Sequence, residues 1–249
     1  MRIYAIGDIH GQPERLREAH ARILRDGGEE ARVVHVGDLI DRGPDSRGVV
    51  ELLMEGQARG RDWIVLKGNH DRALPNFLRD PRWIDPRAAE RKDWIARDVG
   101  AEVTLASYGV PDAARRPLDE VHAEAVAKVP QDHAHWLSGL PAWYLSPLAL
   151  FVHAGLRSGV DLCAQIEDDL LWIRKPFHDD RRDHGALVVH GHTPVRQPTH
   201  YGNRVNIDSG AGHDGPLTAI RLDAQGVWVL GDGPPRPLRP SPSRVRNAT

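Results

Sequence analysis

The sequence predicts an α/β chain, and three observations predict it. Short apolar runs at 2–6, 32–36 and 63–66 each end in glycine followed by polar residues, as buried strands do. Helical spacing fills the two stretches between them. After a helical middle, the strand pattern returns from residue 148.

Arg2-Ile3-Tyr4-Ala5-Ile6 is the first strand and runs straight into Gly7-Asp8-Ile9-His10-Gly11. Pro13 opens a helix with Leu16, Ala19, Ile23 and Leu24 on one face, and Gly27-Gly28 ends it. Val33-Val34-His35-Val36 is the second strand, closed by Gly37-Asp38-Leu39-Ile40-Asp41-Arg42-Gly43. His35, inside that strand, reads as a core histidine. Asp45 suits the N-cap of a helix carrying Val49, Val50, Leu52 and Leu53. The third strand leads into Gly68-Asn69-His70-Asp71. Strand–helix–strand–helix–strand of this length implies parallel pairing with right-handed crossovers. That geometry gathers the strands' carboxyl ends along one edge.

Across about 72–147 the composition shifts to Ala, Arg and Trp at helical spacing. Trp94, Ile95 and Val99 would share one face, and Val121, Ala125 and Val129 another. This reads as a helical insert whose tryptophans (Trp83, Trp94, Trp136 and Trp143) form its own core, with a substrate-gripping cap as the alternative. His20, His122, His133 and His135 lie on polar helical stretches and are expected to be exposed. The apolar runs at 148–152, 187–190, 204–208, 217–222 and 227–230, separated by Gly, Asn and Asp turns, predict a meander in a more antiparallel sheet. From Asp232 onward five prolines predict a disordered tail, which leaves one domain over 1–231.

Composition narrows the function. The 249 residues, 40% hydrophobic and 27% charged, supply ample core for one large α/β unit. A net charge of -2 argues against a broad nucleic-acid footprint. The single Cys163 excludes a disulfide framework and a thiolate zinc site. The first apolar run is too short for a cleavable signal, and nothing approaches the roughly 18 apolar residues of a membrane span. The expectation is therefore a cytoplasmic protein without a membrane partner. Fourteen histidines direct attention to metal.

Taken alone, the Gly37–Gly43 stretch suits a solvated turn with a local Asp–Arg pair, an arrangement worth little. The chain repeats the device, however. Further runs end in Val152-His153-Ala154-Gly155 and His190-Gly191-His192-Thr193-Pro194. Aspartates, an asparagine and histidines converging on one edge form an oxygen–nitrogen donor set without thiolate, suited to Mn, Fe or Zn. The set exceeds the needs of one ion and suits two, about 3.5–4 Å apart, sharing a carboxylate and a water that attacks phosphorus in line. Arg42 and a second guanidinium would clamp the phosphoryl oxygens, and a nearby histidine would protonate the leaving oxygen. His190 and His192, two apart in an extended strand, share a face, so both are placed to reach the site. His178, His184, His200 and His213 lie in loops without a partner motif.

Together, G-D-I-H-G, G-D-L-I-D-R-G, G-N-H-D, V-H-A-G and G-H-T-P, with N-I-D-S-G-A at 206–211, resemble the calcineurin-like metallophosphoesterase superfamily, and within it the bacterial serine/threonine phosphoprotein phosphatases. The resemblance implies a β-sandwich of two mixed sheets flanked by helices. It implies Asp8 and His10 on a first metal, Asp38 bridging, and Asn69, His153 and His192 on a second, with manganese the first choice. It further implies His70 as general acid oriented by Asp41, Arg42 on the phosphoryl group, and Arg174 as a second phosphate arginine. Two departures stand out. Asp71 replaces the usual glutamate of the G-N-H motif, and Pro194 stands where the wider superfamily has a further histidine ligand.

A phosphomonoesterase acting on phosphoserine or phosphothreonine in a protein or peptide is the leading expectation, favoured by Asp41 and Thr193-Pro194. The alternative is symmetrical hydrolysis of dinucleoside polyphosphates such as diadenosine tetraphosphate. A silent phosphoprotein-binding module ranks last, because every expected ligand and His70 are present.

Overall fold

The computed structural model describes residues 1–89, 92–97 and 99–241. Ile3–Ile6 forms β1, buried along its whole length. Its alternation shows why: Tyr4 and Ile6 enter one apolar cluster, while Ile3 and Ala5 enter another. A strand apolar on both faces lies between two layers. Val33–His35 (β2) and Trp63–Val65 (β3) extend it in parallel, with Tyr4 opposite Val33 and Val33 opposite Trp63.

The crossovers are α1 (Pro13–Gly27) and α2 (Ser46–Ala58). Leu16, Ala19 and Ile23 of α1 are buried, whereas Leu24, expected on the same face, is exposed. The Asp45 carboxylate caps α2 by accepting the Gly48 N–H at 2.7 Å. His35 is fully buried, and its Nε2 meets His20 Nε2 at 2.9 Å. His20 is correspondingly not exposed: its ring stacks on Trp63 at 4.1 Å.

Four short helices follow: α3 (Ala73–Arg79), α4 (Ala101–Ser107), α5 (Leu118–Lys128) and α6 (Gln131–Gly139). They share the helix-side cluster with α1 and α2, so the insert has no separate core. Trp94 is buried there, and Trp83 and Trp136 pack against it. Ile95 lies in a 3₁₀ turn, not in the helix expected to carry it with Trp94 and Val99. Two other expectations change here. His133 is buried against Tyr108, and His122 is half-buried against Phe77, because the polar stretches that carry them pack inward; His135 is exposed as expected. Helical structure ends at Gly139, ahead of the expected 147, and Trp143 belongs to a strand, β4 (Trp143–Leu145), and not to an insert core.

The second half is not a meander. Leu150–Val152 (β5), Val188–His190 (β6) and Arg204–Asn206 (β8) pair in parallel, with β4 and β7 (Thr199–His200) antiparallel at the two edges. The crossover from β5 to β6 carries α7 (Glu167–Trp172) and α8 (Lys175–His178), of six and four residues. Helices so short leave no periodic signal in a sequence. Antiparallel pairing does hold for β9 (Ala219–Asp223) and β10 (Gly226–Val229), which return to β1 and complete the first sheet. Within the stretch expected to be disordered, Arg236–Pro237 forms β11 against β10, and Leu238 packs on the core; 242–249 lie outside the described residues.

The first sheet runs β11-β10-β9-β1-β2-β3 and the second β4-β5-β6-β8-β7. They sandwich one cluster that includes Ile3, Ala5, Val34, Phe151, Val189 and Val205. At Gly7 the sheets come so close that a Cβ would lie 2.2 Å from the Ile207 carbonyl oxygen. The carboxyl ends of six parallel strands, β1, β2 and β3 of one sheet and β5, β6 and β8 of the other, therefore meet at one rim. Among the described residues, no helix is long and apolar enough to cross a membrane.

Candidate metal centre

Each strand leaving that rim turns sharply, and the turns are built from strained backbone. Of seven non-glycine residues with left-handed φ among those described, five are His10, Asp38, Asp41, Arg42 and His192. Such conformations cost about 1–3 kcal/mol each and persist only where the surroundings enforce them. The enforcement is visible. Ile9 and His10 N–H donate to the Asp38 carbonyl at 3.0 and 2.8 Å, and Gly11 N–H donates to the Leu39 carbonyl. The Asp71 carboxylate accepts Leu39 N–H at 2.8 Å and Gly68 N–H at 2.7 Å, tying the loops after β2 and β3 together. The shorter acid thus fixes both loops.

Asp38 sits at the centre. Its carboxylate lies 3.5 Å from His10 Nε2, 3.4 Å from His153 Nε2 and 4.0 Å from His70 Nε2. Two groups of donors share it: His10, Asp38 and His70, and Asp38, His153 and His192, the atoms of each lying within 4.8 Å of one another. Asn69 Oδ1 is 2.9 Å from His153 Nε2. Asp8 joins them by accepting His192 N–H on Oδ2 at 3.0 Å, and all of these residues are buried.

The donor atoms face inward with lone pairs available. His10 and His153 each place Nδ1 2.9 Å from a backbone carbonyl, of Ile40 and Val36, which directs the unprotonated Nε2 to the centre. His192 Nε2 accepts from Arg174 Nε at 3.0 Å. Burial lowers His153 below the usual histidine range and holds His10 and His192 well below it, so the three rings are neutral. Burial raises Asp38, but the surrounding histidines, His153 first, more than offset it and keep the group ionised. Burial and the charges of Asp208 and Asp38 push Asp8 up.

These residues fit two divalent cations. Asp8 Oδ1 is buried without a hydrogen-bond partner among the described residues. Asn69 Oδ1 and His153 Nε2, as placed, are two acceptors facing each other. Crowded buried carboxylates and facing acceptors are costly unless a cation lies among them. Asp8, His10 and Asp38 would hold one ion, and Asp38, Asn69, His153 and His192 the other.

On one flank, His70 Nδ1 donates to Asp41 Oδ2 at 2.7 Å. Arg42 reaches over both neighbouring rings, NH1 to His10 Nε2 at 2.8 Å and NH2 to His70 Nε2 at 3.2 Å. Burial lowers His70, but the Asp38 and Asp41 carboxylates outweigh it, so its pKa is raised. By distance alone His70 is a further potential ligand; its bond to a carboxylate in place of a carbonyl sets it apart from His10 and His153. On the opposite flank Arg174, just before α8, is exposed at the rim.

His190 does not reach the site. The strand ends at His190 and His192 is left-handed, so the two-residue repeat that would align them stops there. His190 Nε2 accepts instead from Arg204 at 3.0 Å, beside Phe177. Three contributors went unassigned in the sequence. Asp208 follows β8 at the same rim, and burial with the Asp38 charge raises its pKa to about 6. Its place in N-I-D-S-G-A after an apolar run was the available signal. Trp94 and Thr104 of the insert bond to Asp41, with no local signal of that role.

The family described as calcineurin-like phosphoesterase matches residues 1–227. A bis(5'-nucleosyl)-tetraphosphatase, PrpE of Bacillus thuringiensis (strain Al Hakam), named as asymmetrical, is 25% identical, the match covering 89% of this chain and 90% of the relative. Among solved structures, one described provisionally as a diadenosine tetraphosphatase superposes with a TM-score of 0.62 at 22% identity, covering 94% of this chain and 93% of that one. A cold-active protein-tyrosine phosphatase from a psychrophilic Shewanella gives 0.61 at 17%, covering 96% and 80%. At these identities the structural matches speak for the fold alone.

Proposed function

Since the chain belongs to the calcineurin-like phosphoesterase family, we propose that it is a metal-dependent hydrolase of dinucleoside polyphosphates that cleaves a dinucleoside tetraphosphate asymmetrically. It is a hydrolase of the binuclear metallophosphoesterase type. The observation that carries the finer reading is the near-full-length match to a relative named as an asymmetrical bis(5'-nucleosyl)-tetraphosphatase. It reverses the order expected from the sequence, where phosphoprotein came first and the nucleotide alternative was symmetrical.

Two divalent cations, manganese by preference, would neutralise the phosphoryl oxygens and activate the attacking water. The chain's own groups do the rest. Arg42, already poised between His10 and His70, turns its fork onto the phosphoryl oxygens. Arg174 approaches from the His192 side. His70, held by Asp41 at Nδ1 and doubly protonated as its raised pKa favours, would present Nε2–H to the leaving oxygen and give up that proton, returning to the neutral ring with Nδ1–H on Asp41.

Phosphoprotein remains the second reading, because a buried Asp41–His70 pair serves a serine or threonine leaving group equally well. Manganese-loaded protein should be given diadenosine tetraphosphate and phosphoserine, phosphothreonine and phosphotyrosine peptides side by side. AMP with ATP as products, at a kcat/KM at least about tenfold above any peptide, is the expected result. Faster peptide turnover would overturn the nucleotide reading, and two ADP would overturn the asymmetric cut. Two bound metals with no turnover of any ester would point to the binding module.

A further inference from the structure

The helical insert meets the site at the Asp41–Arg42 turn, and it meets the Asp41 carboxylate with side-chain donors. The carboxylate is fully buried and accepts three side-chain donors. Oδ2 takes His70 Nδ1–H at 2.7 Å and Trp94 Nε1–H at 3.0 Å, and Oδ1 takes the Thr104 hydroxyl at 2.8 Å. Because Thr104 spends its only proton on Oδ1, its oxygen is left to accept, and it receives the Asp41 backbone N–H at 2.9 Å. The Ser46 hydroxyl, 2.8 Å away, completes the ring. Gly100, the residue before α4, seats this unit against the loop: a Cβ there would fall 2.2 Å from the Arg42 nitrogen.

We propose that Trp94 and Thr104 are positioning residues for the hydrolytic reaction: they clamp the Asp41 carboxylate so that His70 keeps Nδ1–H on it and turns Nε2 toward the leaving group in one orientation. Three features support this beyond ordinary packing. Asp41 and Arg42 are consecutive left-handed residues, a conformation that needs external restraint. Trp94 and Thr104 are themselves buried, so water cannot replace either donor. An ionised carboxylate only accepts, so a fixed Asp41 compels the proton onto His70 Nδ1 and leaves Nε2 on the reacting side. Without the two clamps, Oδ1 and one lone pair of Oδ2 are unsatisfied, and the carboxylate relieves this by turning away from His70.

The proposal rests on the family's phosphoester chemistry and not on the choice of nucleotide over peptide. The test uses the full chain with Thr104→Val, Trp94→Phe and the conservative Thr104→Ser. Turnover of diadenosine tetraphosphate and of p-nitrophenyl phosphate, bound metal, and the His70 Nδ1–H proton resonance of the zinc-loaded protein are measured for each. Thr104→Val and Trp94→Phe should each lower kcat about 10- to 100-fold, the loss of one charge-assisted hydrogen bond, with KM within about threefold. Bound metal should stay at two ions, and the Nδ1–H resonance should broaden by exchange. Thr104→Ser should restore both kcat and the resonance. In a His70→Asn background, Thr104→Val should have little further effect on kcat, since the residue acts through His70. Loss of metal alongside kcat, an unaltered resonance, failure of serine to restore, or an equal loss in the His70→Asn background would each overturn the proposal. Should the valine variant not fold, Trp94→Phe decides alone by the same readouts. The resonance reads the clamp whether or not either ester is cleaved, so a wrong substrate and a wrong role give different results.

Discussion

Gly191→Ala isolates the metal centre from the rest of the fold. Gly191 joins β6 to His192, and a Cβ built on it lies 1.8 Å from Asp8 Oδ1, against the 3.0 Å that real Cβ contacts keep. The nearest atoms are all of the Asp8 carboxylate, so the strain falls on that group and on little else. To admit the methyl, Asp8 or the Gly191 backbone must move by more than 1 Å, since the shortfall is the difference between those two distances. A metal ligand tolerates about 0.2 Å. Moving Gly191 instead displaces His192, whose N–H donates to Asp8 Oδ2 at 3.0 Å, so either adjustment disturbs the centre. In stability the change should cost about 1–3 kcal/mol, as overpacking usually does, which leaves the domain folded. The assay pairs metal titration by calorimetry with thermal unfolding. At least one metal should bind more than about tenfold more weakly, the scale on which even supporting partners of metal ligands act. Two ions bound with wild-type affinity in the alanine variant would refute the placement of Asp8 in the ligand shell.

Asp38→Asn should remove both ions together, because both donor groups share this carboxylate. Turnover of any phosphate ester should fall about a thousandfold or more, and elemental analysis of the purified variant reads the metal loss directly; retention of two ions would exclude a bridging role. His35→Gln addresses acid stability away from the metals. Burial lowers His35 from its ordinary 6.5 to about 4, so between those values the unfolded chain binds a proton that the folded chain refuses. Stability is therefore full above about pH 6.5 and is lost as pH falls. In the glutamine variant, urea midpoints should fall less steeply over that window, by about 1.4 kcal/mol per pH unit. Parallel slopes in the two proteins would contradict a neutral buried His35.

The first three strands and their polar ends were legible because each carries two signals at once, an apolar run and a glycine-led turn into Asp, Asn or His. The fold then brings those ends together through parallel pairing. His153 and His192 were legible as residues although the topology that delivers them was not. The crossover from β5 to β6 uses six- and four-residue helices, and those make no period that distinguishes a parallel return from a meander. His190 shows the opposite failure. The strand rule placed it beside His192, and one left-handed residue cancelled the rule. Trp94 and Thr104 follow no rule of spacing at all. They lie ten residues apart and 53 and 63 positions from Asp41, so only tertiary packing brings them to its carboxylate.

Asp41 also carries the sequence-based preference for phosphoprotein, and its surroundings show that it lies behind His70. Its hydrogen-bond partners are all protein groups: His70, Trp94 and Thr104 on the carboxylate, and Ser46 on the backbone N–H. A residue so enclosed would govern how a proton reaches the leaving oxygen, a step that a serine or threonine oxygen needs most and a nucleotide phosphate least. It never meets the part of the substrate that distinguishes them. Under the proposed function, discrimination would fall to side chains at the open rim. Arg174, exposed and tied to His192, is one. His213 is another: it is exposed in the turn after Gly212, where a Cβ would touch His10 and Arg42. If the proposed function holds, a cation and an imidazole beside the two metals would suit a chain of phosphates, with several anionic groups to receive, better than a single phosphoryl on a neutral peptide. Specificity should accordingly respond to substitutions at Arg174 and His213, while substitutions at Asp41 should slow most the esters whose leaving oxygen is most basic.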